Sequence, residues 1–183
     1  MGKVEFLYPF VAICCLIIGL ENTEASLSLL AAMAIHELGH IAVIRFSGGK
    51  MCKTGIYGVG AQIGFSSKHL SRHGEIAVFA AGPCAGAIGA LVGSILGLEL
   101  FAKASLCLTL LNMLPAMPFD GGCILRTFLP YGKEEKILYV SGLVTGGILS
   151  LLGLYAVFKG GNFSFLASGV CVFLYSARKT PLQ

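Results

Sequence analysis

The sequence predicts an all-α polytopic membrane protein of about six transmembrane helices, with a short membrane-associated β-hairpin after the second helix. Three observations lead there. The 183 residues are 56% hydrophobic and only 12% charged, with a mean hydropathy of +0.84, whereas soluble chains are about a quarter charged. The apolar residues gather into stretches near bilayer-crossing length, separated by charges. The basic residues then sort to one side of those stretches. A soluble cytosolic enzyme is excluded by the first observation. Collagen-like, coiled-coil and disordered classes fall with it, because the 25 glycines show no triplet period and the apolar fraction is high.

The first span is expected at residues 4–20. Its apolar core, Phe6 to Leu20, is short enough for a signal peptide, with Thr23-Glu24-Ala25 as a poor cleavage site; a retained short helix fits the charge sorting better. The second span is expected at 25–45. Residues 47–74 are too polar and glycine-rich to cross. Within them, Lys53 to Phe65 alternates loosely, with β-branched and aromatic residues broken by glycines, as a hairpin would. An exposed strand edge there would accept an extended peptide by backbone pairing; the alternative is an irregular connecting loop.

The third span, 75–98, carries Gly82, Gly86, Gly89, Gly93 and Gly97 at helical spacing, a face for close helix packing. Spans at 100–119, 137–158 and 163–177 complete the set. Six crossings put both termini on one side. With the N-terminus cytosolic, 11 of the 13 basic residues fall inside, a strong orientation signal. The net charge of +4 is thereby an orientation signal, and with no basic run to track a phosphate backbone no nucleic-acid partner is expected. The seven cysteines are odd in number, scattered, mostly in apolar runs and without a CxxC pair, so they read as packing residues. The chain is expected to be one membrane-embedded domain, 1–183, in a cell membrane.

Within the second span lies His36-Glu37-Leu38-Gly39-His40. On a helix, histidines at i and i+4 share a face, so both imidazoles reach one Zn²⁺ while Glu37 projects beside them to act on a water. From Ala25 to Ile44 these three are the sole ionisable side chains. Burying a lone carboxylate in hydrocarbon costs several kcal/mol unless it is partnered, so such residues are functional by default. The bland reading, two histidines and a glutamate satisfying one another in a bundle, carries that cost without using the spacing.

Catalytic zinc takes three protein ligands and leaves one position open. Between Lys103 and Arg126 the one charge is Asp120, after Asn112-Met113-Leu114-Pro115-Ala116-Met117-Pro118-Phe119 and before Gly121-Gly122. The two prolines break helical hydrogen bonding, so this end of the fourth span is expected to be partly unwound and to line a protein-enclosed or watery cavity. The alternative is an aspartate capping the next segment. His69 and His73 also stand at i and i+4, but no glutamate accompanies them and Arg72 lies between, so they read as interfacial histidines.

The residues resemble the site-2 protease family of intramembrane zinc metalloproteases. The resemblance rests on His36-Glu37-x-x-His40, on Asn112-x-x-Pro115-x-x-x-x-Asp120-Gly121, and on Ala81-Gly82-Pro83, over about residues 31–126, within a catalytic core of about 25–126. It implies one Zn²⁺ per chain held by His36, His40 and Asp120, with Glu37 as general base and Asn112 helping to hold the substrate or the oxyanion. The expected substrate is a membrane protein or membrane-tethered peptide, cut in or near its transmembrane segment. The family usually has an asparagine where this chain has Gly86. Without room for a PDZ or CBS domain, the chain looks like a minimal core of the short prokaryotic members. A second class of function stays open, a metal-binding membrane protein without hydrolysis, such as a zinc transporter or an inactive homologue. Against a transporter stand the clustering of all three candidate ligands near one face and the lack of an internal repeat.

Overall fold

A computed structural model describes residues 23–47, 50–57, 60–66, 71–161 and 163–178. The expected first span, 4–20, and His69 lie outside the described residues. Helix α1 (Thr23–Phe46) carries Glu24 in its first turn and Arg45 in its last, each charge complementing the helix dipole. Its 24 residues extend about 36 Å, enough for a hydrocarbon core of about 30 Å. Ala32, His36, His40 and Ile44 are its buried residues, a single stripe at i, i+4 spacing, while Leu27, Leu30 and Leu38 face outward.

Strands β1 (Lys50–Tyr57) and β2 (Gly60–Ser66) follow as an antiparallel pair, with Tyr57 opposite Gly60, Ile56 opposite Ala61, and a register shift between Met51 and Lys53. Helix α2 (Arg72–Ile95) is capped by Ser71, whose hydroxyl accepts from Gly74 N at 3.2 Å. Gly82, Gly86, Gly89 and Gly93 are buried on it. Gly97, expected to continue that packing face, instead has φ +73 with open space around it. That left-handed conformation favours glycine and stops the helix. The chain reverses at once into α3 (Glu99–Asn112).

The expected fourth span, 100–119, is therefore helical only as far as Asn112. Residues 113–119 form a series of turns with a cis Met117-Pro118 bond. They lead into a short helix not foreseen in the sequence, α4 (Asp120–Phe128). Gly121 and Gly122 make this possible: a Cβ on Gly121 would strike the Met113 carbonyl, and one on Gly122 would lie 2.5 Å from Ala116 C. The helix start thus rests directly on the turn backbone. Helices α5 (Glu134–Phe158) and α6 (Ser164–Arg178) complete the described residues and pack against each other. Among the described residues three helices, α1, α2 and α5, are long and apolar enough to cross a membrane; α3 and α6 are shorter.

Candidate metal centre

The buried stripe of α1 turns two imidazoles toward α2 and α4. His36 and His40 are 4% and 8% exposed, and their Nε2 atoms lie 3.2 Å apart. Asp120, the first residue of α4, brings Oδ2 to 3.1 Å from His36 Nε2 and 3.3 Å from His40 Nε2. Three donor atoms thus form a nearly equilateral triangle. Regular tetrahedral coordination with bonds of about 2.0–2.1 Å separates its ligands by about 3.3–3.4 Å, close to these three distances.

The surroundings favour a cation at that point. Asp120 Oδ2 is buried with the two ring nitrogens as its polar neighbours; where both rings turn lone pairs toward it, the oxygen meets no donor, a costly state for a carboxylate unless a cation stands between the three atoms. The His40 ring is fixed from behind, its Nδ1 2.7 Å from the Val78 carbonyl. Nδ1–H donates to that carbonyl, so Nε2 presents its lone pair to the triangle. The three donors, their burial and the locked tautomer all suit a four-coordinate ion with one open position.

Gly82 belongs to the site as well. A Cβ there would overlap His40 Nε2 and lie 2.7 Å from His36 Nε2. The sequence places this glycine in a packing face, and the structure shows that what packs against it is the pair of imidazoles. Gly39, between the histidines, is equally tight: its Cβ would fall 2.5 Å from Ala81 O and 2.7 Å from Ala85 Cβ. Two glycines on facing helices therefore bring α1 and α2 together around the rings. Val78 was missed in the sequence, because a backbone carbonyl carries no residue signature; the Ala81-Gly82-Pro83 block is its nearest signal.

Glu37 is half-buried on α1, between the two histidines in sequence. Asp120 does not act as a helix cap, since the cap position is Phe119 and no side chain caps the helix. Its place in the first turn nevertheless suits its charge. Asn112 closes α3, and its Nδ2 donates to Leu108 O at 3.0 Å, which ties the amide nitrogen to its own helix. At Gly86, where the family resemblance leads us to expect asparagine, a Cβ would strike Thr109 Oγ1; the threonine fills the space that a side chain at 86 would need. His73 lies in the first turn of α2, about two and a half helical turns before Gly82 and the cluster.

No protein-family model matches the chain. The chain is 29% identical to a zinc metalloprotease from Methanocaldococcus jannaschii over 84% of its own length and 52% of the relative's. It thus spans about half of that curated relative. Among solved structures, it matches the site-2 protease from Methanocaldococcus jannaschii with a TM-score of 0.71 and 22% identity, over all of this chain and 95% of the other. The likeness shows the fold, and the motif resemblance to site-2 proteases is thereby joined by a shared architecture.

Proposed function

We propose that the chain is a zinc metalloendopeptidase of the site-2 protease type, hydrolysing peptide bonds in or near the transmembrane segments of membrane-tethered substrates, as in regulated intramembrane proteolysis. The observation that carries this reading is the triangle of His36 Nε2, His40 Nε2 and Asp120 Oδ2, at 3.1 to 3.3 Å, inside an apolar bundle. Zinc, bound there, supplies Lewis acidity and a water acidified toward neutral pH. His36, His40 and Asp120 hold the metal, and the Val78 carbonyl keeps His40 in the ligating tautomer.

Glu37 is the general base. Its carboxylate takes a proton from the attacking water and returns it to the leaving amine nitrogen. A substrate helix has its amides paired, so it must be unwound before attack. The free edge of the β1–β2 ribbon and the turns of 113–119 are the places where an extended peptide would be held. Asn112, at the head of those turns, is assigned to orienting the substrate or the developing oxyanion. The full reading is a single domain in a prokaryotic cell membrane, crossing it several times with both termini cytosolic and water reaching the site from that side.

Cleavage of membrane-tethered substrates in liposomes by wild type and Glu37→Gln tests the proposal. The variant should lose at least about a hundredfold in rate, the usual scale of general-base removal, while keeping one zinc per chain. Zinc bound by both with cleavage by neither would establish a non-hydrolytic metal protein. Full activity after Asp120→Ala would remove the third ligand.

A further inference from the structure

A second polar feature lies apart from the metal. Where the end of α4, the start of α5 and the end of α6 meet, a cavity of about 330 Å³ is lined by Arg126, Glu134, Glu135, Leu138, Tyr139 and Tyr175, among others. This is the low end of the range for small-ligand sites. Its wall holds charges of both signs, yet among the described residues no ion pair joins Arg126 to Glu134 or Glu135. Glu134 Oε2 is buried without a hydrogen-bond partner. A buried carboxylate oxygen without a donor is costly unless one from outside completes it.

We propose that this cavity binds the headgroup of a zwitterionic phospholipid with a primary ammonium, of the phosphatidylethanolamine class. The ammonium would donate to the Glu134 and Glu135 carboxylates, and the phosphate would accept from the Arg126 guanidinium. A lysine or arginine of a protein partner is the poorer match, because Arg126 in the same wall repels a lone cation. The position suits a lipid. The cavity is at helix ends, Tyr139 and Tyr175 line it, and tyrosine is a side chain enriched at headgroup depth in spanning helices. Just beyond it α5 and α6 expose Val140, Val144 and Leu174, which give acyl chains an apolar surface. Met117 also borders the cavity, three residues before Asp120, so the headgroup would buttress the segment that carries the third metal donor. The assignment stands on cavity chemistry and does not depend on hydrolysis.

The test is lipid retention by the purified full chain, read by native mass spectrometry after release from nanodiscs holding equal amounts of phosphatidylethanolamine and phosphatidylglycerol. The wild type should retain the ethanolamine lipid about tenfold more, since the glycerol lipid offers no ammonium. Glu134→Gln with Glu135→Gln should erase that preference, and Arg126→Gln should lower retention of both lipids. Equal retention by the wild type overturns the proposal before any variant is made. Binding of soluble glycerophosphoethanolamine as tight as that of the lipid would reassign the site to a small ligand, and displacement of the lipid by a lysine-bearing substrate flank would reassign it to the partner protein. Either result overturns the lipid assignment.

Discussion

Two helix pairs in this molecule are joined by the same device, and only one of them, among the described residues, gathers side chains that could hold a metal ion. Between α1 and α2, Gly39 and Gly82 allow the helices to approach until any added Cβ would overlap the neighbour. Between α5 and α6, Gly142, Gly146 and Gly169 do likewise, with a Cβ on Gly146 falling 2.5 Å from Phe173 N and 2.8 Å from Phe173 Cα. In the second pair the room left by each absent side chain is taken by partner backbone or by the Ser150 and Ser176 side chains. In the first, Gly39 likewise meets the Ala81 backbone and Ala85, but the room beside Gly82 is taken by two imidazoles, with Asp120 closing the third side. Glycine contacts are therefore a means of approach in membrane helices. What the approach achieves is set by the residue on the opposite helix.

Matched single-methyl substitutions break the comparison cleanly. Gly82→Ala has the largest expected effect: the methyl group collides with both imidazole rings, and overpacking of about 1–3 kcal/mol at the site translates to a loss of about five- to 150-fold in zinc affinity. Alanine is the better helix former by about 1 kcal/mol, so α2 itself should persist in circular dichroism while zinc, measured by metal analysis, is lost. Gly146→Ala should show the reverse pattern. It overpacks α5 against α6 at a cost of about 1–3 kcal/mol, lowering the thermal midpoint, while bound zinc stays at one per chain. If both variants lost zinc equally, the two pairs would be one cooperative unit and the contrast between them would fail.

The same contrast explains how much could be read from the chain. His36, Glu37, His40 and Asp120 stand out because ionisable residues are scarce in apolar runs, so position alone gives them meaning. Glycines carry no such contrast. Gly82 beside the imidazoles and Gly146 beside Phe173 have the same sequence spacing, and the difference lies wholly in what faces them. Gly97 shares that spacing too, yet it ends α2. The helix α4 was hidden for another reason: Asp120-Gly121-Gly122 has poor helix propensity, and the segment is helical because it packs on the 113–117 backbone. Val78 acts through a carbonyl that every residue possesses. The prolines at 115 and 118 did mark where α3 gives way, though the helix stops at Asn112, ahead of both.

One contact bridges the two regions and offers the finest test of their independence. Ser141 Oγ, on α5, donates to the carbonyl of Pro115, in the turns that precede Asp120. A single neutral hydrogen bond contributes about 1 kcal/mol, a factor of about five in an equilibrium between docked and undocked turns. Ser141→Ala removes that bond and touches no metal donor. Zinc affinity should therefore change little, because His36, His40 and the α1–α2 contact are intact. Turnover of a membrane-tethered substrate should fall by up to about fivefold, since the proposed role of the turns is to hold the peptide. A loss of zinc would mean that α5 positions Asp120 directly, and an unchanged turnover would mean that the turns keep their shape from Gly121 and Gly122 alone. The first result would move the boundary of the metal-binding unit out to α5, and the second would draw it back to α1, α2 and α4.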